Sequence, residues 1–255
     1  MRWSLFVLFS SALSLSAQNA NLYSREKEAA LGEQLAQQIQ RTATPVNNPA
    51  ALRYVEQIGA RLAAQLPEPR FTYTFALIDP VSGAGNGNAM QEPLALPGGY
   101  IFVPSSLILA ARDEAEFAGI LAHAMAHVAD RDGTRQATRG TLAQMATIPL
   151  IFYGGWTGFG VRQASSVAIP AALVRFTNMY EQQADALAVK TASAAGYDAE
   201  GLLRYLGREQ TGNGTDRSTL DSRIAALRMA LQTPPPNSND EFLRLQEQLR
   251  NPPRN

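Results

Sequence analysis

Apolar residues recur every three or four positions along most of this chain and alternate in only two short stretches. "SREKEAALGEQLAQQIQ" (24–40) reads as an amphipathic helix capped by Ser24. "NPAALRYVEQIGARLAAQL" (48–66) reads as a second, with Asn48 as cap and Pro49 in the first turn. "RFTYTFALID" puts Phe71, Tyr73, Phe75 and Leu77 on one face, which predicts a strand. "GAGNGNAMQEP" is a loop by its glycine and asparagine density. "GGYIFV" (98–103) predicts a second strand, entered through the turn Pro97-Gly98. Asp113 and Glu116 form a capping box that opens a helix running to about Arg131 and stopping before Gly133. A long helix follows from about Ala171 to Ala195, closed by Gly196. Two more are "AEGLLRYLGRE" behind Asp198 and "TLDSRIAALRMALQ" behind Ser218.

These elements predict an α+β fold, mainly helical, with a small sheet. "TPPPNSN" ends the packed domain, so residues 18–235 form one domain and 236–255 a polar tail, a short helix or frayed end. Residues 141–174 are apolar and glycine-rich but broken by Arg162, too interrupted for a good transmembrane span. They read as a buried helix end plus a mobile loop, or else as a peripheral membrane or protein contact through 147–161.

The amino terminus changes the compartment. Arg2 is followed by the short apolar run "WSLFVLFSSALSL" and the small residues "SLSA", the pattern of a cleaved export signal ending at Ala17. An uncleaved membrane anchor is the alternative. The 255 residues contain no cysteine, so no disulfide and no lipoprotein attachment site exist. Export without cysteine suggests a bacterial periplasm or cell envelope. A formal net charge of zero gives no electrostatic footprint for nucleic acid. Hydrophobic content of 45% with 17% charged residues is that of a globular protein.

The candidate chemistry lies in "GILAHAMAHVADRDG" (119–133), which holds both histidines of the chain, His123 and His127. Four apart on a helix, they share a face with Cβ atoms about 5–6 Å apart. That spacing lets both imidazoles reach one zinc at about 2.0–2.1 Å. Two core histidines with satisfied partners are the plainer alternative. "NMYEQQADALAV" offers Glu181 and Asp185, again four apart. Glu181 can complete a metal site while Asp185 holds the second nitrogen of a ligating histidine. Alone, the pair reads equally as a solvated acidic face.

Together, "LALPGGYIFVPSSLILAARDEAEFAGILAHAMAHVADRDG" and "YEQQADALAVKTASAAGYD" resemble zinc metallopeptidases of the HtpX and CAAX-prenyl-protease type, in their periplasmic soluble branch. The resemblance covers about residues 24–230 and implies a gluzincin-type fold with the sheet beside the motif helix. It implies zinc held by His123, His127 and Glu181, with Asp185 supporting a histidine. It also implies that Gly98, Gly99, Tyr100 and Ile101 belong to an edge strand that pairs with unfolded or extended protein segments.

Four features depart from that pattern. Ala124 stands where the family carries glutamate, the general base that takes a proton from the attacking water and passes it to the leaving amine. Asp216-Arg217 occupy the place of a His-Pro pair, and Arg131-Asp132 that of an Arg-His pair. "QEP" also disturbs the family's Asn-Ala segment. Three functions follow. The first is an exported zinc- and peptide-binding protein with little or no proteolysis. The second is an active endopeptidase, or an artificially inactivated form of one, with Glu114 or Glu116 as a substitute base. The third is a metal-free binding or assembly module.

Overall fold

Two amphipathic helices open the fold, each starting where a side chain caps it. The Ser24 hydroxyl accepts from Lys27 N at the head of α1 (Arg25–Thr42). Asn48 Oδ1 accepts from Ala51 N at the head of α2 (Pro49–Ala63). These caps satisfy amides that the first helical turn leaves unpaired. The computed structural model describes residues 21–67, 71–79, 92–145, 176, 178–209, 217–231 and 240–251. The expected export signal, most of the 83–93 loop, the 147–161 contact segment, Asp216 and the "TPPPNSN" boundary lie outside them.

The sheet has three strands, β1 (Thr74–Ile78), β2 (Leu94–Leu96) and β3 (Tyr100–Pro104), in the order β1-β3-β2. The alternation holds: Phe75 and Leu77 point into the core. β3 pairs parallel with β1, Phe75 opposite Ile101, and antiparallel with β2, Ala95 opposite Ile101. The strand expected to be a free edge is therefore the central one, its backbone groups taken on both sides. Gly98 and Gly99 lie in a 3-10 turn (Pro97–Gly99) at φ 79 and 104. A Cβ on Gly99 would stand 2.2 Å from the Thr72 carbonyl oxygen, so close packing and positive φ both require glycine there.

After α3 (Ser105–Ala110) comes the motif helix, α4 (Glu114–Ala129), buried along almost its whole length. Such a helix must be enclosed by its neighbours. On one side α7 (Glu200–Glu209) crosses in contact with its backbone: a Cβ on Gly119 would lie 2.7 Å from Leu202 N, and one on Gly201 2.3 Å from the Ala115 oxygen. On another, α6 (Asn178–Ala194) packs along it, described from Asn178 rather than from about Ala171. It closes at Gly196, φ 86, with Tyr197 N donating to the Ala192 oxygen at 2.9 Å.

The motif helix does not simply stop. Arg131 takes the left-handed conformation, φ 59, and α5 (Asp132–Met145) starts at once, with Gly133 inside its first turn. The motif helix thus ends before Gly133, as expected, but a second helix that was not expected takes up the chain directly. A non-glycine residue there costs about 1–2 kcal/mol. Arg131 is held by an ion pair to buried Glu28 of α1 and by donating to the Tyr23 carbonyl at 2.6 Å.

The last helices complete the core. α8 (Arg217–Ala230) buries Leu220, Ile224 and Leu227. α9 (Asp240–Arg250) buries Phe242, whose ring centroid lies 5.8 Å from Phe117 and 6.1 Å from Tyr54. Gln246 donates to the carbonyls of Ile108 and Ala111, at 2.9 and 2.7 Å. The stretch expected to be a polar tail thus belongs to the same core. No described helix is long and apolar enough to cross a membrane.

Candidate metal centre

His123 and His127 project from the buried face of α4 toward α6, each only 5% exposed. Their rings meet edge to face, with Nε2 atoms 3.1 Å apart. Glu181 of α6 faces both: one carboxylate oxygen lies 3.4 Å from His123 Nε2 and the other 3.7 Å from His127 Nε2. Of the candidates, the fold thus gathers His123, His127 and Glu181 at one point, their ligand atoms within 4.8 Å of one another. Two nitrogens at about 2.0–2.1 Å from one tetrahedral ion stand about 3.3 Å apart. The observed spacing and the N,N,O donor set fit zinc.

Each histidine has a carboxylate on its other nitrogen. Asp185 Oδ1 lies 2.9 Å from His123 Nδ1, close enough for an ion pair but out of line for a hydrogen bond from the ring. Asp132 Oδ2 lies 2.8 Å from His127 Nδ1, in hydrogen-bond contact with the ring. Phe176 lies nearly flat on His127, centroids 3.9 Å apart.

Arg223 of α8 ties the carboxylates together. Its Nε and Nη2 donate to the two oxygens of Asp185 at 2.7 and 2.8 Å, and Nη1 lies 3.0 Å from Glu181 Oε2. The reading of the sequence missed Arg223 and passed over Asp132 as a defect. The "SRI" block hinted at the first. The second had no signal, because five residues along a regular helix place two side chains about 140° apart.

Burial and charge pull the titrations apart. Burial works against a charged His123, but the nearby Asp185 and Glu181 carboxylates outweigh it and lift the imidazole to about 9. Burial, then repulsion from His123, push His127 down to about 3. Burial opposes ionised Glu181, yet His123 and Arg223 hold it at about 2. Asp185 is likewise held well below the usual carboxylate range against burial, chiefly by Arg223 and His123. Burial raises Asp132 to about 7, against the pull of Arg135. One proton beyond those of two neutral rings is therefore held at neutral pH, on His123, and it fits the Nε2–Nε2 contact.

Ala124 is buried beside His123 and has no proton-accepting group. Glu114 and Glu116 are committed elsewhere. The first accepts from Tyr54 Oη and Arg61 at 2.7 and 2.9 Å. The second accepts from Arg112 N at 2.8 Å and pairs with Arg208. Glu116 precedes His123 by seven residues, about 10 Å along the helix axis. A small cleft beside His127 is lined by Ala95, Leu96, Pro97 and Glu28, the last already paired with Arg131.

The sequence model described as Peptidase family M48 matches residues 49–246. A β-barrel assembly-enhancing protease of Escherichia coli (strain K12) is 24% identical over 191 residues, covering 71% of this chain and 37% of its own length. The protein of the same name from Yersinia pestis is 25% identical over 192 residues, 71% of this chain and 37% of its own length. A protease HtpX homolog of Acidiphilium cryptum is 35% identical over 118 residues, 44% of this chain and 38% of its own length. The chain thus spans less than two fifths of each of these curated relatives.

Proposed function

We propose, from the premise that this chain belongs to peptidase family M48, that it is an exported zinc- and peptide-binding protein that hydrolyses peptides poorly or not at all. The observation that carries this is a complete donor set beside a missing base. His123 and His127 hold the metal through Nε2 and Glu181 through its carboxylate, while Ala124 occupies the position next to His123. Bound zinc supplies Lewis acidity, polarising a carbonyl and acidifying a water. The chain's own contribution then falls short. A general base and acid is typically worth about 10²–10⁴ in rate. The carboxylates that touch the histidines or line the cleft beside them are committed: Glu181 faces both histidines, Asp185 binds Arg223, Asp132 contacts His127 and Glu28 binds Arg131.

An extended protein segment docks as an added strand along β2. β3 is already flanked, whereas among the described residues the outer side of β2 pairs with no strand. Ala95, Leu96 and Pro97 line the cleft that reaches His127. Main-chain hydrogen bonds would supply affinity with little sequence preference. Gly98 and Gly99 support this edge from the turn that follows, and Tyr100 and Ile101 pair with it. The name of the β-barrel assembly-enhancing relatives favours β-barrel proteins in assembly as the segments bound. The amino-terminal segment favours a periplasmic location.

The test is the zinc content of the mature protein and of its His123→Ala variant. We expect one zinc per chain, lost in the variant. Protein purified without chelator that holds no zinc would refute the metal site and leave a binding module.

A further inference from the structure

We infer that Asp132 is a positioning residue for His127, fixing its ring so that Nε2 faces the metal; this rests on the metal reading above. Asp132 is fully buried, and its Oδ2 lies within hydrogen-bond distance of His127 Nδ1, at 2.8 Å. An imidazole that donates from Nδ1 keeps its lone pair on Nε2, the atom that faces His123 Nε2 and Glu181. No other carboxylate among the described residues is placed on this nitrogen. Asp185, the partner of His123, already gives both its oxygens to Arg223.

The backbone is built to deliver this contact. Residues five apart on a continuous helix face away from each other, about 140° around the axis. The left-handed turn at Arg131 folds the start of α5 back and points Asp132 at the ring. That turn is clamped from outside the site by Glu28 of α1 and the Tyr23 carbonyl. Asp132 Oδ1 in turn lies 3.4 Å from Arg135 Nη1. The replacement of the family's Arg-His by Arg131-Asp132 thus gives the second histidine its own carboxylate, matching the one beside the first.

The experiment is a competitive chelator titration with zinc on the full mature protein, Asp132→Ala and Asp132→Asn, with nitrogen-15 NMR of the histidine rings. Loss of a partner that orients a ligand weakens metal binding about 10- to 100-fold. We expect a loss in that range for Asp132→Ala and a smaller one for Asp132→Asn, whose amide oxygen can still accept. We also expect His127 to be protonated on Nδ1 in the wild type and to lose that preference in Asp132→Ala. Folded Asp132→Ala with wild-type zinc affinity would overturn the inference while leaving the metal site intact. Should Asp132→Ala not fold, Asp132→Asn with unchanged zinc affinity and an Nε2-protonated His127 in the wild type would overturn it too. Wild-type protein that takes up no zinc would remove both this inference and the reading it rests on.

Discussion

Arg223 is the residue whose removal the structure prices most clearly. Arg223 is 6% exposed, and its guanidinium sits 2.7–3.0 Å from the carboxylates of Asp185 and Glu181. Arg223→Ala leaves both acids buried and short of one cation. Removing one partner of a buried ion pair typically costs about 3–5 kcal/mol, because the charge left behind cannot regain water. Glu181 keeps 18% side-chain exposure, which moves the expectation toward the lower end. For a domain of this size, with about 2–4 °C per kcal/mol, Tm should fall by about 6–20 °C in chelator at pH 7. The sign of the pH dependence is fixed by the same charges. Both carboxyls are held below their ordinary values in the wild type, so the stability they contribute is present above about pH 4 and lost as pH falls. The gap between wild type and variant should therefore be full at neutral pH and shrink below about pH 4. Excess zinc, a dication beside the same two acids, should raise Tm more in the variant than in the wild type. Thermal unfolding followed by circular dichroism reads all three. A fall of less than about 2 °C, or a gap that widens in acid, would refute the charge argument.

Other outcomes follow from the site. Ala124→Glu should raise casein hydrolysis by about 10²–10⁴-fold if the base alone is missing; continued inertness of a zinc-loaded, folded variant would place the deficit in another departure, such as Asp216. Zinc affinity should climb about tenfold per pH unit between pH 6 and 8, because a proton held on His123 to about pH 9 must leave before its Nε2 can bind metal. Chelator competition at pH 6, 7 and 8 would expose a flat profile and refute that proton.

The sequence by itself marked most of the helices, two of the three strands and the faces that carry the candidate ligands, while β2, α3 and α5 were not read from it. Caps at Ser24, Asn48 and Asp113 and the closing Gly196 are local chemistry, so the helices they bound are legible without any tertiary contact. Helical spacing likewise put His123 with His127 and Glu181 with Asp185 on common faces before any packing was known. Only the tertiary structure decided what those faces meet. Strand order depends on which neighbours fill the sheet, and it moved β3 from the edge to the middle. Docking of α9 depends on Phe242 finding Tyr54 and Phe117 far away in the chain. Arg223 reaches Asp185 across 38 residues. Asp132 reaches His127 only because the backbone breaks helical geometry at Arg131, and that break is held by α1, about 100 residues earlier. Local periodicity carries no information about contacts of these kinds, since their energy comes from groups that the chain brings together only when it folds.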